Sequence, residues 1–217
     1  MFHDLKPFNM KKLSSFLILL CFTLYFTNTA SAQVRFGIKA GLNLANLTFS
    51  NFGELEPDTK MLPSFQVGGL VEMDFSENVG LGVGLQFHGK GTKDGTDGSD
   101  AKITLNYIQV PVMIQYRNMG FFAGVGPYAA FGISGKFKGD GDSEDISFGS
   151  SEDDDFSALD FGGTVEVGYE FGNLRATASY GMGFANMIPK DQRIDGADLS
   201  IKNSAIGIAL AYLFGGE

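Results

Sequence analysis

The sequence predicts an all-β protein, an eight-stranded antiparallel up-and-down transmembrane β-barrel. Three observations support this prediction. The chain begins with a stretch typical of an export signal. Eight later segments alternate with a period of two between large apolar residues and small or polar ones. The connections between these segments alternate between tight turns and long polar loops, which is the layout of outer-membrane barrels.

The first 32 residues have the three parts of a cleaved signal peptide. Lys11–Lys12 supply the positive charge, residues 13–25 form the apolar stretch, and Ala30–Ala32 has the small residues of a cleavage site. The apolar stretch is shorter than the roughly 20 residues that a transmembrane helix needs. We therefore predict a signal peptide over residues 1–32 and a barrel domain over residues 33–217.

Charge and cysteine content exclude two classes of protein. The formal net charge is −9, whereas a nucleic-acid-binding protein needs a basic face, so no nucleic-acid partner is expected. The single cysteine, Cys21, lies inside the predicted signal, so no disulfide is expected in the mature chain. Met1 and Met10 are alternative translation starts, and the sequence does not distinguish between them.

The first four strands are predicted from runs in which every second residue is apolar. Val79–Lys90 is typical, because positions 79 to 87 alternate between a large apolar residue and, in most cases, glycine. The four predicted strands are Val34–Leu44, Phe65–Phe75, Val79–Lys90 and Ile103–Tyr116.

The last four strands follow the same rule. In the C-terminal strand one face carries Ile206, Ile208, Leu210, Tyr212 and Phe214, and the other face is mostly glycine and alanine. The strand lengths suit tilted spans of about 9–11 residues with extensions beyond the membrane. The four predicted strands are Phe121–Phe137, Leu159–Phe171, Leu174–Phe184 and Ser204–Phe214.

The connections predict the orientation of the barrel. The tight turns are Ser76–Asn78, Arg117–Gly120 and Gly172–Asn173, and the longer polar segments lie at about 45–64, 91–102, 138–157 and 186–199. This order predicts periplasmic turns, periplasmic termini and extracellular loops. Pro111 and Pro127 lie inside predicted strands and cannot donate to a ladder, so each predicts a bulge or an interrupted pair.

The apolar face is predicted to point outward, toward lipid. The alternative is a soluble barrel of the lipocalin kind, whose apolar face points inward. Here the opposite face is rich in glycine with scattered charges, which suits the narrow interior of eight strands and leaves no open channel. The polar side chains on that face are Arg35, Lys39, Glu72, Asp74, Gln86, His88, Gln109, Gln115, Asp160, Glu166, Glu170 and Arg175.

Three segments carry recognisable strand motifs. Phe36–Asn43 is similar to a GxKxGxN strand, Leu105–Val112 to a Y-L-x-I-P strand, and Phe122–Tyr128 to a GxGxY strand. In these motifs the chain resembles the outer-membrane β-barrel family of Gram-negative bacteria that includes PorT-like proteins and porin-family small barrels. The resemblance implies a barrel and not a particular activity. Its PorT-like branch implies a secretion-system role, which none of these motifs selects.

His88 is the only histidine after the predicted cleavage site, and it gives the only enzymatic hypothesis. With Asp or Ser partners it could serve an outer-membrane hydrolase. The simpler interpretation is a histidine in the barrel interior, hydrogen-bonded to a carboxylate, or one near the outer rim. No catalytic residue and no cofactor are predicted.

The loop over residues 139–155 is strongly acidic, and calcium prefers clustered oxygen ligands. Its candidate ligands are Asp140, Asp142, Glu144 and Asp145. The run lacks the glycine that an EF-hand loop has at its sixth position, so a solvated acidic loop is the favoured interpretation and no metal is predicted.

The predicted partners follow from location. The barrel contacts outer-membrane lipid, and the strand ending at Phe214 is expected to engage the barrel-assembly machinery. We expect a monomer with a structural role, or an interaction role through its outward loops toward an extracellular partner. A secretion-system partner is the alternative.

Overall fold

The computed structural model describes residues 34–53, 56–139, 141–193 and 198–215. Over these residues the chain forms eight long strands, which confirms the predicted fold class. They are β1 (Val34–Ser50), β2 (Leu62–Asp74), β3 (Val79–Asp94), β4 (Lys102–Asn118), β5 (Phe121–Lys138), β6 (Leu159–Phe171), β7 (Leu174–Gly183) and β8 (Ser200–Phe214). The predicted signal over residues 1–32, and with it the two alternative starts, lies outside these ranges.

The strands close into a ring in chain order. Each strand pairs antiparallel with the next, and β8 returns to β1 from Phe36↔Phe214 to Ser50↔Ser200. The β5–β6 pair completes the circuit from Leu159↔Phe131 to Tyr169↔Phe121. None of the eight strands is therefore left with a free edge. A sheet in lipid requires this closure, because unpaired backbone groups there have no water to hydrogen-bond with. None of the described segments forms a helix that could span a membrane.

Three short turns connect strands at one end of the barrel, as predicted. The β2–β3 turn closes with Phe75 N–H donating to Val79 O at 2.8 Å. Met119 and Gly120 form the β4–β5 turn with φ of 49° and 84°, which is the geometry of a type I′ hairpin. In the β6–β7 turn Gly172 has φ of 60° at the first central position, as a type II′ turn requires.

Long connections occupy the other end, which is called the loop end below. They run between β1 and β2, β3 and β4, β5 and β6, and β7 and β8. Their short elements are the strands Thr59–Lys60, Ser143–Ile146, Phe148–Gly149 and Phe156–Ser157 and the 3₁₀ turn Lys190–Gln192.

Strands β1 and β8 extend further into the loop end than the sequence predicts. The apolar residues change face there: Leu44 points outward, whereas Leu47 and Phe49 point inward and Leu47 is completely buried. On β8, Ile201 also packs inward. The outward apolar pattern therefore stops at this level, although both strands continue beyond it.

Both prolines interrupt ladders, which confirms that prediction. The β3–β4 pairing stops at Val83↔Val112 and resumes at Gln86↔Gln109, on either side of Pro111. The β4–β5 pairing likewise breaks between Pro111↔Tyr128 and Ile114↔Val125, around Pro127. Proline has no N–H to donate, so the ladder reforms beyond it.

The apolar face points outward on every strand. Ile38 on β1, Leu85 on β3 and Ile208 on β8 are each about 60% exposed on the outer surface of the barrel, as expected for side chains that contact lipid. The opposite face fills the interior, where Glu72 and Asp160 are buried. This arrangement excludes the lipocalin alternative, in which the two faces would be exchanged.

Candidate functional site

The interior near the short turns holds six charged side chains that balance one another. The carboxylates belong to Glu72, Asp74 and Glu170, and the guanidinium groups belong to Arg35, Arg117 and Arg175. We call this set the six-charge cluster. Its members come from β1, β2, β4, β6 and β7, so only closure of the barrel brings them together.

Glu72 is the centre of the six-charge cluster. Arg175 donates two hydrogen bonds to it, at 2.6 and 2.8 Å, and Arg35 donates a third at 2.9 Å. The Glu72 side chain is only 1% exposed, so these charge-assisted bonds replace its water shell. The guanidinium of Arg175 also lies 3.9 Å from the centre of the Phe122 ring.

Glycines leave the space that these long side chains fill. A Cβ on Gly80 would lie 2.7 Å from both the Arg117 guanidinium and the Asp74 carboxylate. A Cβ on Gly82 would collide with the amide of Gln115. The alternating glycines of β3 therefore serve close packing inside the barrel, as the sequence predicts.

The middle of the interior is a layer of amides around His88. Gln66 Nε2 donates to Asn43 Oδ1 at 3.0 Å. The His88 ring nitrogens lie 3.3 Å from the amide of Asn43 and 3.2 Å from that of Gln86. A neutral imidazole has one donor and one acceptor nitrogen, and an amide can complement either. Between this layer and the six-charge cluster, Lys39 forms an ion pair with Glu166.

A second ion pair lies toward the loop end. Lys90 Nζ donates to Asp160 Oδ2 at 2.8 Å, and both side chains are almost completely buried. Asn203 and Tyr128 donate to the same carboxylate oxygen at 3.0 and 3.3 Å. The Lys90 ammonium also lies 4.3 Å from the centre of the Tyr128 ring, so a cation–π interaction stabilises the buried charge.

An apolar cluster closes the interior above this ion pair. We call it the apolar cap, and it consists of Leu47, Leu105, Tyr107, Tyr128, Ala130, Phe156 and Met187. Phe156 comes from the β5–β6 loop and Met187 from the β7–β8 loop, so the loops fold inward to complete it. Backbone bonds hold them there, because Ser157 N–H donates to Met187 O and Met187 N–H donates to Ile201 O, both at 2.8 Å.

Together these layers leave little empty space in the barrel. Among the described interior side chains lie small cavities, of which two have volumes of about 40 and 20 Å³. The first is lined by members of the six-charge cluster and the second by His88 and Lys90. Such volumes hold only a few water molecules and no solute of metabolite size.

His88 lies in the interior, as the simpler interpretation expects, but its partners differ from the predicted ones. Both hydrogen-bond partners in the structure are amides, whereas a carboxylate was expected. No Asp or Ser among the described residues hydrogen-bonds to its ring. Among these residues, therefore, neither a base-orienting carboxylate nor a hydroxyl to be activated is hydrogen-bonded to His88.

The calcium candidates do not converge in the part of the chain that the structure describes. Glu144 and Asp145 are neighbours on a short strand, so their side chains point to opposite faces. Asp145 pairs with Lys136 at 3.5 Å, while Asp142 is exposed. No three acidic, histidine or cysteine side chains of the described residues are grouped to hold a metal. Asp140 lies outside the described residues, so the calcium hypothesis stays untested.

In the second half of the acidic loop, over residues 147–155, carboxylates accept hydrogen bonds that stabilise local turns. The Ser151 hydroxyl and amide donate to Asp154 Oδ2 at 2.5 and 2.9 Å, and these bonds hold the pKa of Asp154 below its usual range. Asp155 Oδ2 likewise accepts hydrogen bonds from the amide and the hydroxyl of Ser147, at 2.8 and 2.9 Å. Gln192 donates to the backbone oxygens of Glu152 and Asp154, which links two loops.

Lys90, Tyr107 and Asn203 are interior residues of this site that were not predicted from the sequence. One signal was available for Lys90, because it follows His88 by two positions on β3 and therefore shares its face. No sequence signal indicates that Asp160, on β6, is its partner.

Comparisons with known proteins agree with this architecture. The profile of a family described as "Outer membrane protein beta-barrel domain" matches residues 26–189. None of the curated proteins compared with the chain matches it.

Solved structures of small barrels also resemble the chain. Neisserial surface protein A has 10% sequence identity and a TM-score of 0.49, with 82% of this chain and 96% of that chain covered. Ail, the attachment invasion locus protein of Yersinia pestis, has 14% identity and a TM-score of 0.45, with 83% and 98% covered. The N-terminal barrel of Pseudomonas aeruginosa OprF has 10% identity and a TM-score of 0.36, with 85% and 100% covered.

Proposed function

Because the chain belongs to the outer-membrane β-barrel family and so lies in the bacterial outer membrane, we propose that it acts through its loop end and carries no solute. In this proposal the long loops are extracellular and the short turns and both termini are periplasmic. The role is structural, or an interaction with an extracellular partner.

The filled interior is the observation that supports this proposal most directly. A conducting barrel needs a continuous water path, and the interior of an eight-stranded barrel is just wide enough for side chains to fill. Here the six-charge cluster, the amide layer around His88 and the apolar cap occupy successive levels of that space. The surfaces that remain for recognition are the loops.

The orientation rests on the asymmetry of the connections. The turns at one end are only a few residues long, whereas the β5–β6 and β7–β8 loops carry short elements of their own and contact one another. Outer-membrane barrels have short periplasmic turns and longer extracellular loops.

Further parts of the proposal rest on the sequence. We propose that residues 1–32 are removed as a signal peptide, and that the β8 strand ending at Phe214 is the signal for the barrel-assembly machinery. The barrel is proposed to be a monomer. A PorT-like role in secretion stays an alternative that no observation favours, and the same holds for a hydrolase using His88.

Introduced cysteines test the orientation. The only native cysteine, Cys21, lies in the proposed signal, so single labels can be placed on the mature chain. We expect a membrane-impermeant maleimide to label Ser150→Cys, in the β5–β6 loop, on intact cells. Glu77→Cys, in the β2–β3 turn, is the matched control and should react only after lysis. Labelling of Glu77→Cys alone on intact cells would reverse the proposed orientation.

Planar-bilayer recording tests the closed interior. We expect the purified barrel to give no unitary conductance steps, because charged, amide and apolar layers block the axis in succession. A known open porin, reconstituted in the same way, provides the positive control. Reproducible steps from the wild-type barrel would refute the proposal that it carries no solute.

A further inference from the structure

Two of the long loops are bonded to each other at two levels. At buried Met187, in the β7–β8 loop, the backbone oxygen accepts from Ser157 N–H of the β5–β6 loop at 2.8 Å. At the surface, the Gln192 side-chain amide donates to Glu152 O and Asp154 O at 3.0 and 2.7 Å. Because they are linked at both levels, the two segments are expected to move as one unit. We call residues 147–157 and 185–192 together the joined loops.

Met187 attaches the joined loops to the barrel. Its side chain is completely buried, and its backbone N–H donates to Ile201 O on β8 at 2.8 Å. The Met187 thioether accepts from the Tyr107 hydroxyl on β4 at 3.7 Å and from Asn203 Nδ2 on β8 at 3.2 Å. The Tyr107 ring also packs edge-on against Phe148 of the joined loops, with ring centres 5.7 Å apart. Both loops therefore contact the same small group of residues on the barrel strands.

Asn203 connects this attachment to the buried ion pair. The same Nδ2 atom donates to Asp160 Oδ2 at 3.0 Å, and Asn203 is only 1% exposed. A primary amide has two N–H groups, so one can bond to the carboxylate and the other to the thioether. The bond to the carboxylate is charge-assisted and therefore the stronger of the two, so it fixes the direction of the amide.

The ion pair is itself held by strands of the barrel wall. Asp160 lies on β6, and its Oδ2 also accepts from Lys90 on β3 and Tyr128 on β5, at 2.8 and 3.3 Å. Each of these three strands is paired with two neighbours. A continuous series of contacts therefore runs from the barrel wall through Asp160, Asn203 and Met187 to the joined loops.

We propose that this series of contacts holds the joined loops in one preformed conformation, with Asn203 as the positioning residue. The proposal deepens the proposed function and rests on it, because it assigns the preformed surface to recognition at the loop end. Ordering a loop on binding costs free energy, so a partner binds a preformed surface more tightly than a mobile one.

Hydrogen–deuterium exchange of the purified barrel in detergent micelles, read by mass spectrometry, measures how often the joined loops open. Asn203→Leu keeps a side chain of similar size but removes both bonds of the amide. We expect peptides from the joined loops to exchange about tenfold faster in this variant. Peptides from the β3–β4 loop should keep their wild-type rates, because that loop bonds instead to the β1–β2 loop, through Gly95 N–H and Asp58 O at 2.9 Å.

Tyr128→Phe is the matched control. It also removes one hydrogen bond to Asp160 Oδ2, but it keeps the ring in the apolar cap and leaves the bond from Asn203 to Met187 intact. We expect its loop exchange to change by less than about twofold. Met187→Leu removes the other end of the bridge and should accelerate loop exchange as Asn203→Leu does. The double variant should be no faster than either single one, since both substitutions remove the same link.

Three results would overturn the proposal. They are wild-type loop exchange in Asn203→Leu, equal acceleration in Tyr128→Phe, and acceleration of the strands as large as that of the joined loops. The last result would give Asn203 a general stabilising role only. Met187→Leu provides the same test if Asn203→Leu fails to fold, which the gel mobility of heated and unheated samples reveals.

The exchange experiment is independent of the tests of the proposed function. It involves neither a partner nor an orientation in the membrane, whereas the cysteine labels and the bilayer recording address those points. A reversed orientation would remove the assignment to extracellular recognition and leave the exchange result standing.

Discussion

Replacing Glu72 by Gln is expected to destabilise the folded barrel by about 3–5 kcal/mol. Glu72 accepts hydrogen bonds from both Arg175 and Arg35, and Arg117 lies 3.9 Å away. Gln keeps the shape but removes the charge, which leaves three guanidinium groups with two carboxylates in a space that excludes most water. The large effect comes from the charge left without a counter-ion, since an intact buried pair contributes little net stability.

Urea unfolding of the barrel in lipid vesicles measures this change as a shift in the free energy of unfolding. Glu77→Gln is the matched control, because Glu77 is exposed in the turn only five residues away. We expect the control to change stability by less than about 0.5 kcal/mol. Equal stabilities of the two variants would show that the six-charge cluster is hydrated well enough to tolerate the loss.

Replacing Asp160 by Asn is expected to cost a similar amount, again about 3–5 kcal/mol. The carboxylate of Asp160 is fully buried and is the counter-ion of Lys90. Tyr128 and Asn203 also donate to it, so its negative charge organises a group of four side chains. Without it, Lys90 retains only the aromatic rings around its ammonium, which offset part of the desolvation.

A second substitution distinguishes the loss of charge balance from the loss of hydrogen bonds to the carboxylate. Adding Lys90→Met to Asp160→Asn removes both charges and keeps the side-chain volumes nearly constant. We expect the double variant to regain most of the lost stability, because an apolar replacement of a buried ion pair is often neutral. The single variant Lys90→Met completes the cycle and isolates the coupling between the two residues. A double variant as unstable as Asp160→Asn would mean that hydrogen bonding to the carboxylate matters more than the ion pair.

The strands were largely predictable because their signal is local. β6 begins and ends where the sequence predicts, since large apolar residues alternate with small or charged ones from Leu159 to Phe171, with Gly163 as the single exception on the apolar face. The ends of β1 and β8 at the loop end could not be predicted in the same way, because apolar residues there change from the outward to the inward face. The period of two persists through that change, but the expected outward pattern is lost.

The site was less predictable than the fold. Alternation correctly assigned Glu72, His88 and Asp160 to the interior, since successive side chains of a strand point to opposite faces. It could not identify their partners. The carboxylate expected beside His88 is absent from its hydrogen bonds, and two amides from β1 and β3 occupy that role.

By itself the sequence determined which segments are strands, which face of each meets lipid, and which end carries the long loops. These are properties of residues close together in the chain. Tertiary structure alone decided the contacts across the interior, such as Arg35 with Glu170, 135 positions apart, and Lys90 with Asp160, 70 positions apart. The physical reason is that ring closure and strand register set the level at which each inward side chain meets the others.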